Sequence, residues 1–118
     1  MVFTNTGVTE IISWLSGSAA TAPTHIAIGT GNTSALKTDT TLSSEVIRNA
    51  INATLTGTNW VSFTAILDST QQNGIDLYEF GLLNAATDGD MSQRITHTII
   101  SKNSQIELEY EVRIALQN

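Results

Sequence analysis

The sequence predicts a mainly β domain: an antiparallel β-sandwich or barrel-like fold of about six strands, with one N-terminal amphipathic helix. Three observations lead there. Ile106, Leu108, Tyr110, Val112, Ile114 and Leu116 alternate with Glu107, Glu109, Glu111 and Arg113, which demands one buried and one wet face. The chain holds 18 Thr, 11 Ser and 9 Asn but a single Pro, and β-branched Thr fits a pleated, half-buried surface. Only one stretch, close to the N-terminus, shows a helical period.

In that stretch Val8, Ile11, Ile12 and Leu15 fall at i, i+3, i+4 and i+7, and Trp14 widens the stripe. Thr6 or Gly7 serves as the cap, Glu10 complements the first-turn dipole, and Gly17 ends the helix, expected over about 6–16. A single short helix needs a partner for its stripe. The sheet and a neighbouring subunit are both open, so Val8, Ile11, Ile12 and Leu15 are candidate interface residues.

Residues 18–23 read as a connecting loop, and the β domain is expected over about 24–116. Thr24 to Ile28 alternates and ends at the turn cluster Gly29-Thr30-Gly31-Asn32. Thr30 to Thr40 reads as irregular, and Leu42 to Arg48 as either a helical turn or the approach to a strand. Ile47, Asn49, Ile51, Ala53 and Leu55 then share one strand face, closed by the turn Gly57-Thr58-Asn59. Further strands are expected over Trp60–Leu67, Ile75–Leu83, Arg94–Ile100 and Gln105–Leu116. Between them lie the turn Gln71–Gly74, the acidic loop Thr87–Asp90 and the tight turn Lys102-Asn103-Ser104.

Length and charge narrow the function. A chain of 118 residues fits a single domain, 1–118. Having no Cys, it offers no disulfide, cysteine-ligated metal or thiol nucleophile. Five basic residues against eleven acidic ones, a net charge of −6, argue against a nucleic-acid partner. No apolar run approaches the ~20 residues of a membrane span, and the N-terminus lacks the features of a signal peptide, so no membrane partner is expected.

Catalytic and cofactor patterns are weak. His25 and His97 sit in predicted strands without a nucleophile elbow. Gly29-Thr30-Gly31 lacks the third glycine and the following helix of a dinucleotide loop, and the Lys-Ser/Thr pair of a P-loop. Glu107, Glu109 and Glu111 read as a solvated strand face that discourages edge pairing, and Asp88-Gly89-Asp90 falls short of a calcium loop. Asn32-Thr33-Ser34 and Asn52-Ala53-Thr54 match the glycosylation pattern, which a Thr-rich chain meets by chance. The expectation is therefore no enzyme, no cofactor, no metal and no small-molecule substrate.

One polar residue is out of place. Glu79 lies between Tyr78 and Phe80 and before Gly81-Leu82-Leu83, where a lone carboxylate is costly. It is expected to pair with Arg48 or Arg94 as a structural ion pair.

Five segments read in order carry a resemblance: Pro23–Gly31, Asp39–Arg48, Val61–Ala65, Tyr78–Leu83, and the Lys102-Asn103-Ser104 turn before an alternating strand. Together they resemble small structural proteins of tailed bacterial and archaeal viruses. They are similar to the N-terminal, virion-attaching domain of phage tail fibres and to short baseplate-type proteins. Leu42, Glu45 and Arg48 match the middle motif of that pattern, and Glu79, Gly81 and Leu82 the later one. The resemblance spans roughly residues 8–116, with no fibre shaft or receptor-binding domain after it, which implies a free-standing module. It implies a virion location after synthesis in the host cytoplasm, and a homo-oligomer (a ring or trimer) that meets other virion proteins. Two alternatives stand beside it: a capsid decoration or turret protein, and a stand-alone glycan- or receptor-binding sandwich using Trp60 and Tyr78.

Overall fold

The computed structural model describes residues 2–18 and 20–117; Ala19, in the expected connecting loop, lies outside the described residues. In chain order the elements are β1 (Val2–Phe3), α1 (Asn5–Leu15), β2 (His25–Gly29), β3 (Glu45–Ala50), β4 (Ala53–Thr56), β5 (Trp60–Leu67), β6 (Asp76–Leu83), β7 (Met91–Ser101) and β8 (Leu108–Ala115). They form two antiparallel sheets, β1-β7-β6-β2-β3 and β4-β5-β8.

Alternation builds the core. Ile26, Ile28, Leu77, Phe80 and Leu82 of the larger sheet are buried against Phe63, Ala65, Leu67, Tyr110 and Val112 of the smaller one. Each fully buried aliphatic or aromatic side chain contributes about 1.5–3 kcal/mol. Phe80 and Tyr110 meet with ring centroids 4.8 Å apart at a tilt of 57°, a favoured aromatic geometry. Along β8 the acidic side chains Glu109 and Glu111 stay exposed, as the alternation requires.

Eight strands form where about six are expected, for two reasons. Val2 and Phe3 pair with Arg94 and Gln93 as a two-residue edge strand too short to leave a periodic signal. The single strand expected over Ile47 to Leu55 is instead broken at a corner. Ile51 N–H still donates to Thr24 O of the larger sheet (2.9 Å), whereas Asn52 N–H donates to Thr64 O of the smaller one (2.8 Å). Near the corner Asn49 reaches across the sandwich, its Nδ2 donating to Ile66 O at 2.8 Å and Gln71 Oε1 at 3.0 Å. Past the corner the face changes, so Leu55 is 59% exposed rather than sharing the buried face of Ile47 and Ile51.

The turn at Lys102-Asn103-Ser104 also passes between sheets instead of closing a hairpin, since β7 and β8 belong to different sheets. Lys102 is buried there, its Nζ donating to Asn73 Oδ1 at 2.9 Å and Asn103 O at 3.1 Å. A buried ammonium needs such acceptors to offset desolvation.

The helix starts one residue earlier than expected, and its cap differs. Thr4, not Thr6 or Gly7, is the N-cap: its Oγ1 accepts from Gly7 N–H at 2.9 Å and donates to Met91 O. Gly7 serves packing instead, because a Cβ there would run into the backbone of Ser92. Gly17, at φ +79°, follows the last turn in the left-handed conformation that glycine adopts most easily.

Candidate functional site

Glu79 is fully buried on the outward face of β6, and its carboxylate is completely engaged. Oε1 accepts from Ser43 N–H at 2.9 Å and Arg94 Nε at 3.0 Å; Oε2 accepts from Gly31 N–H at 2.7 Å and Ser44 N–H at 2.8 Å. Arg94, 1% exposed on β7, spends its other donors on the same loop. Nη1 reaches Ser34 O and Asp39 Oδ2, both at 3.1 Å, and Nη2 reaches Thr33 O and Ser43 Oγ, both at 3.0 Å. Of the two expected arginine partners, Glu79 meets Arg94.

The glycines explain how a carboxylate fits there. A Cβ on Gly31 would collide with Ser43 and the Glu79 carboxylate, and one on Gly29 would meet Ser44 O and the same carboxylate. Gly31 thus brings its backbone N–H to an anion beside those of Ser43 and Ser44, and the anion is the protein's own side chain. The polar segment 30–44 is thereby fastened over the outer face of the larger sheet. There Leu42 closes a second apolar cluster with Ala27, Leu83 and Met91.

Arg48 lies elsewhere. It pairs with Glu45, Nη2 to Oε1 at 2.8 Å, and its Nη1 donates to Ala85 O at 3.0 Å and Asp88 O at 2.7 Å. The middle motif of the resemblance therefore holds the acidic loop, not the Glu79 node. Asp88 sits at φ 52° in that loop, beside Gly89 at φ 75°.

The candidate interface divides into two. Helix α1 turns Gly7 and Glu10 into the protein, while Val8, Ile12 and Leu15 are 51%, 59% and 80% exposed. Ile11, on the flank of that stripe, joins Trp14 in one wall of an apolar groove of about 560 Å³. Across it stand Trp60, Val61 and Leu116, with Thr56, Thr58 and Asn59 also along the lining. Among the described residues the lining holds no charged side chain. Tyr78 does not contribute; it sits on β6 of the other sheet.

A scan against protein-family models and a search of curated proteins each return no match for this chain.

Glu10 is the site residue whose role the sequence misassigns. It is 7% exposed, faces Asp90, and has the Asn84 amide 3.5 Å from its Oε1. Burial, and then the charge of Asp90, push its carboxyl up to about 7. A dipole-complementing role belongs to an exposed first-turn acid; this one is enclosed between α1 and the loop before β7. The signal that finds it is the second face of the helix, Gly7-Glu10-Ile11-Trp14, at the same spacing as the more apolar stripe.

The remaining singled-out residues do not converge with these. His25 Nδ1 bonds its neighbour Thr24 Oγ1 at 2.8 Å, whereas His97 stacks near Tyr110 with centroids 5.8 Å apart. Asn32 and Asn52 are both exposed, on separate parts of the surface. Among the described residues no group of three acidic or histidine side chains is arranged to hold a metal.

Proposed function

We propose that this chain is a non-enzymatic structural component of a tailed virus particle. It acts by packing against its own copies and other virion proteins in the tail, baseplate or fibre base. One observation carries the reading: segments that make up the resemblance, though far apart in sequence, meet. Gly29–Gly31, Ser43–Ser44 and Glu79 form one hydrogen-bonded node, and Glu45–Arg48 fastens the loop beside it. Motifs that serve one architecture together are better evidence than the same short motifs taken singly. The exposed row of α1 supplies an apolar surface for such packing.

A capsid decoration or turret role uses the same surfaces. The stand-alone glycan- or receptor-binding reading is favoured by one feature, the Trp60 groove with Thr58 and Asn59 beside it. Light scattering coupled to size exclusion, with negative-stain images of the same peak, separates these. A ring, trimer or larger symmetric particle is expected. A strict monomer at tens of micromolar that binds glycan, and loses binding in Trp60→Ala, overturns the virion reading.

A further inference from the structure

Among the described residues two acidic side chains are buried, and only one of them has a cation. Glu79 is matched by Arg94, whereas Glu10 lines a cavity of about 460 Å³ that it shares with Asp90. The rest of that lining, Asn5, Thr6, Thr9, Ser13 and Ala20, is neutral. The cations are committed elsewhere: Arg48 to Glu45 and the acidic loop, Arg94 to Glu79 and Asp39, Lys102 to Asn73 and Asn103, and Arg113 to Glu111 and the Trp60 ring. Lys37 is exposed and lends α1 its carbonyl, which accepts from Asn5 N–H at 2.7 Å. Among the described residues Asp90 is thus the charged group that faces Glu10.

Both acids are held in place. Asn84 closes the loop between β6 and β7 on Asp90: its Oδ1 accepts from Asp90 N–H at 2.8 Å, and its N–H donates to Asp90 O at 3.3 Å. The side-chain amide of the same Asn84 lies 3.5 Å from Glu10 Oε1. On the helix, Gly7 precedes Glu10 by three residues and rests directly on the backbone of Ser92. Two carboxylates confined in this way repel each other, and a proton held by the pair removes the repulsion. Burial first, and then the charge of Asp90, carry the Glu10 carboxyl from 4.5 up to about 7.

The seating of this helix also shapes the groove. Trp14 follows Glu10 at i+4, on the same side of α1, and its Nε1 donates to Ala20 O at 3.2 Å. Ala20 belongs to the lining of both the acidic cavity and the apolar groove. We propose that the Glu10–Asp90 pair is a pH latch: a proton held by the pair keeps α1 seated, and its loss unseats the helix and opens the Ile11–Trp14 wall of the groove. The seated helix binds the proton more tightly, so seating weakens as pH rises from about 4.5 to about 7 and changes little above that. The latch acts within one chain.

Hydrogen exchange of the full chain at pH 5 and pH 8, in EDTA and corrected for the intrinsic pH dependence of exchange, reads the latch. Protection of the α1 amides is expected to fall at least tenfold between the two, while that of β5 and β8 falls much less. Glu10→Gln should hold α1 protection level across the range, and Asp90→Asn should shrink the fall. A fall that persists in Glu10→Gln or is untouched by Asp90→Asn overturns the proposal. So does no fall at all, or an equal fall in every strand, which reports global unfolding. The groove is read by the emission of Trp14, isolated in Trp60→Phe, which should move to longer wavelength from pH 5 to pH 8. Emission that stays fixed while α1 protection falls overturns the link between latch and groove.

Discussion

The carboxylate of Glu79 meets the guanidinium of Arg94 at 3.0 Å with both side chains shut off from solvent, 0% and 1% exposed. A buried ion pair offsets its desolvation only when its remaining donors and acceptors are also met. Here they are met by one segment, residues 30–44. The pair therefore acts less as a bond between two strands than as the anchor of an irregular loop.

Removing one charge leaves the other buried and unpaired. Glu79→Gln places an amide NH₂ among backbone donors and is expected to cost about 3–5 kcal/mol. Urea denaturation followed by tryptophan fluorescence measures this. Glu79→Leu combined with Arg94→Met should recover part of the loss, because no orphaned charge remains. Unchanged stability in Glu79→Gln contradicts the anchoring role.

The close approach of backbone to carboxylate gives a second expectation. Gly31→Ala puts a methyl group into Ser43 and Glu79 and is expected to cost about 1–3 kcal/mol through overpacking. Gly74→Ala, at φ +81° with open space around it, bears only the left-handed backbone cost of about 1–2 kcal/mol. Separation of segment 30–44 from the sheet, read by amide hydrogen exchange, should accompany the first substitution and not the second.

Glu10 predicts a pH dependence of definite sign. Its folded value, about 7, lies above the ordinary 4.5, so between these values the folded chain holds a proton that the unfolded chain releases. Stability therefore falls as pH rises from about 4.5 to about 7, and Glu10 adds no further slope above that. Glu10→Gln should remove this part of the slope and melt several degrees above wild type at pH 8. Parallel melting curves for the two proteins across that range would count against the pairing with Asp90.

Arg48 gives a local prediction. It donates to two backbone carbonyls of the acidic loop, so Arg48→Ala should raise exchange and proteolytic nicking across residues 84–90. Its ion pair with Glu45 is partly exposed and contributes little, so global stability should change by less than about 1 kcal/mol. A large global loss with no local change would contradict this division.

What the sequence discloses follows from how far each signal reaches. The strands of the core were legible because burial on one face forces period two, and β8 shows it without a break. Glu79 was legible because an ionised group between Tyr78 and Phe80 has to be neutralised by something. The choice of Arg94 over Arg48 was not, since it depends on the β6–β7 register that sets Arg94 opposite Gly81. The corner at Ile51–Asn52 was hidden because alternation continues in the sequence while the chain changes sheet. The helix misled for a related reason. Its most apolar side faces outward, and its packed side rests on Gly7, whose value is the lack of a side chain.

The placement of β1 has a kinetic consequence. Val2 and Phe3 find their partners at Arg94 and Gln93, and Thr4 bonds Ser92 and Met91, so the chain's beginning is tied to residues some ninety positions later. During synthesis β1 leaves the ribosome some ninety residues ahead of β7, the strand on which it docks. The hairpin of β6 and β7 forms from neighbouring sequence, but β1 and the cap of α1 close the longest loop among the described strand pairings, the slow class of contact. Until that loop closes, the packed side of α1, with Gly7, Glu10, Ile11 and Trp14, has no sheet to rest on, and this interval is when premature association is most to be expected.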